Sequence, residues 1–119
     1  NGNNVAFAQD SIADYWYPLG NGNMMNILEN GIHLAHYTHI DEINKAFDLI
    51  TYNGANIMRV NEEYGIEAGK PANFIVLDAQ DPYEGIRERA EVLASIRNGE
   101  YLFKREPRKN EIEIDFLKK

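Results

Sequence analysis

The order of hydrophobic patterns limits the fold of this chain more than any single residue does. A strand-like run at residues 3–9 comes first, helical periodicities follow to about Met58, and after Val60 strand-like runs and turns dominate. A strand followed by helices normally returns to a parallel neighbour, and no second strand of that kind comes next. The first half therefore reads as the last βα unit of something larger. The second half reads as part of a small β-sandwich.

Locally, Val5 and Phe7 alternate with Ala6 and Ala8 in a run that stops at Asp10, as expected of a strand buried on both faces. Asp10 to Gly20 is an aromatic loop carrying Tyr15, Trp16 and Tyr17. Asn21 or Asn23 can cap a first helix whose stripe is Met24, Leu28, Gly31 and Ala35. Thr38 and Asp41 form a variant capping box for a second helix, with Ile40, Ile43, Phe47 and Ile50 at helical spacing. Asn53 caps a short third helix with Ala55, Ile57 and Met58. A strand is expected over 72–77, broken by Asp81-Pro82, and one or two helical turns over 84–90. Asn98-Gly99 between Val92–Arg97 and Tyr101–Lys104 predicts a hairpin, and the alternation over 111–116 predicts an edge strand.

Composition removes several functions. The 119 residues are too few for a complete (β/α)8 barrel, which takes about 250. At 44% hydrophobic and 26% charged the chain is globular in character. A net charge of −7 disfavours a nucleic-acid partner, and Glu106 and Glu111 interrupt the basic cluster of Lys104, Arg105, Arg108 and Lys109. Without cysteine there is no thiolate nucleophile, and the His/Cys/Cys zinc site of one class of base deaminases cannot be built. Apolar runs are too short to span a bilayer and no signal peptide opens the chain, so a cytoplasmic location is expected. The initial Asn1 suits a piece of a longer protein.

Asp10 stands where a strand-like run ends, the position catalytic groups occupy in barrel enzymes. A carboxylate there can bind a divalent metal and take a proton from the water that the metal acidifies; it can equally cap a turn. Trp16, with Tyr15 and Tyr17, can wall a flat ring or pack on a core. His33, His36 and His39 do not converge, because the second and third would lie about 60° and 120° round a helix from the first. Ser11 lacks a nucleophile elbow, and the glycines form no phosphate loop.

The stretch Asn4-Val5-Ala6-Phe7-Ala8-Gln9-Asp10-Ser11, then Asp14-Tyr15-Trp16-Tyr17-Pro18-Leu19-Gly20 and Asn23-Met24, resembles the last barrel strand and loop of the cytosine deaminase family of metal-dependent amidohydrolases. Gly65-Ile66, Gly69 and Ala72 to Asp78 look like that superfamily's return into its β-sandwich, and Val92 to Gly99 like the closing hairpin. The similarity fades beyond about Lys104. It implies an α/β piece made of the last strand and helices of a (β/α)8 barrel (residues 1–60), followed by part of the β-sandwich with a tail (61–119).

By the same resemblance, Asp10 is a metal ligand and handles the proton of the attacking water, while Trp16 and Ser11 contact a planar nitrogen heterocycle. One divalent ion, Fe2+ or Zn2+, would supply a bound hydroxide for hydrolytic deamination. The family's histidine ligands and general-acid glutamate belong to earlier strands. Gln9-Asp10-Ser11 departs from the His-Asp-Asp common in cytosine deaminases, which opens aminotriazines, cyclic amides or N-acyl amino acids as alternative substrates. A different class of reading is a non-catalytic accessory domain. Other expectations are that the isolated chain is inactive and that it pairs with the rest of a barrel or another copy, as a homo-oligomer, with no membrane or nucleic-acid partner.

Overall fold

The computed structural model describes residues 2–111 and 113–114. Helix α1, Met24–Leu34, starts where Asn23 accepts the Met25 N–H at 3.0 Å; Asn21 in turn accepts the Asn23 N–H at 3.0 Å. Both candidate caps act, one on the helix and one on the cap. The buried stripe is Met25, Leu28 and Ile32, a step round from the expected Met24, Leu28, Gly31 and Ala35. Gly31 faces the Phe7 ring, which fills the space a side chain there would need.

Helix α2 covers Ile40–Lys45, with His39 rather than Thr38 at the cap and Glu42 rather than Asp41 accepting the cap N–H at 3.2 Å. The periodic stretch does not continue as one helix. It tightens into a 3-10 helix over Ala46–Ile50, where Thr51 Oγ1 donates to the Phe47 carbonyl at 2.6 Å. Ile43, Phe47 and Ile50 still pack on the core, while Ile40 is exposed. Helix α3, Tyr52–Met58, follows Thr51, whose hydroxyl is taken by the Phe47 carbonyl and makes no cap, and ends at Arg59 in the left-handed region. The expected cap Asn53 lies inside its first turn.

Asn53 instead fastens the amino-terminal segment. Its amide donates to the Val5 carbonyl at 2.7 Å and its own carbonyl accepts from Asn4 at 2.9 Å. Phe7 N–H donates to the Leu49 carbonyl at 2.7 Å. Among the described residues, the expected strand at 3–9 joins no sheet. Its pattern is right for an extended segment, but a ladder also needs a partner strand.

The sheet has three antiparallel strands in the order β1 (Phe74–Leu77), β2 (Val92–Arg97), β3 (Glu100–Lys104). Asn98 at φ 51 and Gly99 at φ 81 make the tight turn that the Asn-Gly pair predicted. The turn is tied to the entry of β1, since Asn73 Oδ1 accepts the Asn98 N–H at 2.8 Å. Between β1 and β2, Asp81 accepts the Glu84 N–H at 2.7 Å with Pro82 in the first turn of α4, Pro82–Arg87. The expected start at Glu84 is thus two residues late. The alternation over 111–116 falls largely outside the described residues, and Glu111, Glu113 and Ile114 show no strand.

The core gathers Met25, Leu28, Ile32, Ala46 and Ile86, with Phe7, Leu49 and Leu77 against it. Leu28 is fully buried, a placement that contributes about 1.5–3 kcal/mol. Helix α4 brings Ile86 from the second half onto α1 and α2. Arg89, just after it, grips Glu29 of α1 through Nε at 2.9 Å and a terminal nitrogen at 2.6 Å. The sheet is less covered: Ile75, Val76 and Leu102 are exposed. No helix among the described residues is long and apolar enough to cross a membrane.

Candidate functional site

The clasp on Val5 and Phe7 delivers the chain to Gln9 and Asp10. Gln9 is half-buried and its side-chain amide donates to the Ser11 carbonyl at 2.6 Å. Asp10, between them, is exposed. The loop that leaves here comes back at Gly20, which is buried against the Ser11 carbonyl and the Gln9 amide. A Cβ at position 20 would overlap that carbonyl, so the closure depends on glycine for close approach.

Within the loop Asp14 organises the backbone. Its Oδ1 accepts the Trp16 and Tyr17 N–H groups at 2.9 Å each. The Tyr17 N–H above all holds the Asp14 carboxyl below the ordinary aspartate range; desolvation opposes, and the Ser11 hydroxyl and Trp16 N–H reinforce. Ala13, immediately before, sits in the left-handed region at φ 50, a conformation that costs a non-glycine residue about 1–2 kcal/mol.

The aromatics meanwhile point to solvent, with Tyr15 98% and Trp16 89% exposed. Within the described residues Trp16 packs on no core. Ser11 is half-buried, and its carbonyl accepts the Gln9 amide. The structure thus brings Asp10, Ser11 and Trp16 onto one closed loop. Sequence reasoning gave Asp14 no role of its own, although an Asp two and three residues before the N–H groups it binds is a recognisable turn signal.

The histidines have separate surroundings. His33 Nε2 lies 3.9 Å from a Glu29 oxygen, His36 is in the left-handed region, and His39 caps α2. Among the described residues no three His, Asp or Glu side chains gather as a metal cage. The loop carries two exposed carboxylates, and because Asp14 is engaged by backbone N–H groups, Asp10 is left to fit one ligand position of a divalent ion and not a whole shell.

The amidohydrolase family model matches residues 1–103. The chain is 36% identical over 106 residues to the N-isopropylammelide isopropyl amidohydrolase of Pseudomonas sp. (strain ADP), covering 88% of this chain and 26% of that protein. Two structures of 5-methylcytosine deaminase from Klebsiella pneumoniae are similar at 44% identity. The one liganded with 5-fluorocytosine superimposes with a TM-score of 0.87, and the one with phosphonocytosine with 0.86; each match covers 93% of this chain and 27% of the other. This chain spans about a quarter of the length of these relatives. From the loop at Asp10 through the β2–β3 hairpin, it belongs to the amidohydrolase family.

Proposed function

We propose that this chain is part of a metal-dependent hydrolase that deaminates a planar amino-substituted heterocycle such as cytosine. The observation that carries the reading is the closed loop that holds an exposed carboxylate, Asp10, and an outward-facing indole, Trp16, in one short segment. Its support in the comparisons is the 44% identity to a deaminase liganded with cytosine analogues.

Asp10 would hold the ion, Fe2+ or Zn2+, as one of several ligands. When bound, such an ion supplies water acidic enough to be a nucleophile near neutral pH. In this reading the Asp10 carboxylate would accept a proton from the attacking water and return it toward the leaving ammonia. Trp16 would lie against the flat ring and exclude water from one face, and Ser11 would line the same pocket. In this reading residues 1–60 are the last βα unit of a (β/α)8 barrel and residues 61–119 belong to its β-sandwich. The rest of the barrel, or another copy, covers the exposed sheet face, and the 119 residues alone are inactive.

A second reading keeps the chemistry and changes the ring. Ser11 in place of a second carboxylate, together with the relative named for N-isopropylammelide, favours an aminotriazine as the alternative substrate. Ammonia release from cytosine, isocytosine and aminotriazines by the whole protein separates the two. Asp10→Ala should lower turnover by about 10²–10⁴-fold, the range for losing a positioned proton-transfer group. Undiminished turnover in that variant would sink the assignment.

A further inference from the structure

The loop has two fastenings, one at its base and one at its tip. At its base, Gln9 and Gly20 close on the Ser11 carbonyl and fix where the chain leaves and returns. At its tip, the Asp14 carboxylate holds the N–H groups of Trp16 and Tyr17 at 2.9 Å. Trp16 is 89% exposed, so packing within this chain does little to hold its ring. Once the backbone is fixed, only the two side-chain torsions of the indole remain to be set, and those fall into a few wells. We infer that Asp14 is a positioning residue: by fastening the backbone of Trp16 and Tyr17, it sets where the indole stands against the substrate. This rests on the reading that Trp16 lines a heterocycle pocket.

The separation of base and tip gives the inference a distinctive signature. Asp10 lies within the base closure, between Gln9 and Ser11, so loosening the tip leaves the proton-handling carboxylate where it is. What is lost is a ring contact made equally in the ground and transition states, and such a loss raises KM while leaving kcat near its starting value. An amide oxygen accepts the same two N–H groups, so Asp14→Asn should preserve the fastening and Asp14→Ala should abolish it.

Trp16 is the one tryptophan in this sequence, and its fluorescence reports the loop directly. In the 119-residue chain, Asp14→Ala should lower the Trp16 anisotropy and increase acrylamide quenching with the far-ultraviolet dichroism unchanged, while Asp14→Asn stays near the starting chain. In the whole protein assayed on cytosine and aminotriazines, Asp14→Ala should raise KM about tenfold with kcat within about twofold, and Asp14→Asn should restore most of the loss. Unchanged KM in Asp14→Ala, equal losses in kcat for both variants, or Asp14→Asn behaving like Asp14→Ala would each overturn the inference. If the unsubstituted protein turns over none of these rings, the function proposed above fails instead, and the anisotropy pair still decides whether Asp14 holds the loop.

Discussion

The helical core and the aromatic loop are ordered by opposite means. Around Leu28 the chain is held by burial: Met25, Ile32, Ala46 and Ile86 close over one another and the Phe7 ring rests on Gly31. From Asp10 to Gly20 apolar burial plays little part, because Tyr15, Trp16 and Leu19 face solvent, and hydrogen bonds to Ser11, Trp16 and Tyr17 set the path. The loop therefore leans on an ionised carboxylate where the core leans on burial. The loop, in turn, can present large apolar surface without contributing to stability. A site that must receive a ring needs that second kind of order, with the backbone fixed and the side chain uncovered.

The sharpest way to break this contrast is to open the core. Leu28→Ala should cost about 3–5 kcal/mol in a denaturant or thermal melt, since the side chain is fully buried and its neighbours come from three helical elements. A cost below that of an ordinary surface change would mean that the core is not where stability resides. Gly31→Ala follows in size. On helix propensity alone it would stabilise by about 1 kcal/mol, but its Cβ would enter the Phe7 ring, so a net loss of about 1–3 kcal/mol is expected. A stabilised variant would show that the contact yields freely.

Acid should separate the two regions. Asp14 is held below its ordinary value of 3.8 by backbone donors, so its contribution is complete above that pH and disappears as the pH falls through the lower folded value. Glu29 behaves likewise below 4.5, where the Arg89 hydrogen bond, then its charge, keep it ionised against desolvation. Trp16 anisotropy should thus decline in strong acid ahead of any loss of helical dichroism, and simultaneous loss would merge the two regions into one cooperative unit. The smallest effect belongs to Trp16→Ala. Truncating a buried tryptophan costs several kcal/mol, yet here the melt should move by less than about 0.5 kcal/mol because the ring is in solvent. A large shift would place the ring in the core after all.

Much of this organisation was legible where the signal is local. Asn23 and the Asn98-Gly99 turn act as their residue types require, and the run from Asp10 to Gly20 carried the family resemblance. The signals that failed depend on contacts at a distance. The buried face of α1 is decided by Phe7 and Ile86, which periodicity within α1 does not encode. The apolar spacing from Ile40 to Ile50 fits an α-helix and also the tighter 3-10 turn that intervenes. Asp81-Pro82 does stand beyond the end of the strand, as expected; what local pattern missed is that Asp81 caps α4 and Pro82 opens it. Asp14 was given no role of its own for the reverse reason: as a common turn former it shows what it holds only once the loop is folded.

The grip of Arg89 on Glu29 spans 60 residues, and Ile86 lies just before it. During synthesis at about 5–20 residues per second, Arg89 leaves the ribosome about 3–12 s after Glu29. For that interval the Met25, Leu28 and Ile32 face of α1 has no Ile86 to cover it. A nascent chain of this kind exposes an adhesive helix before it can close it, so slowing translation between α1 and α4 would lengthen the window in which a chaperone, or another nascent copy, finds that face first.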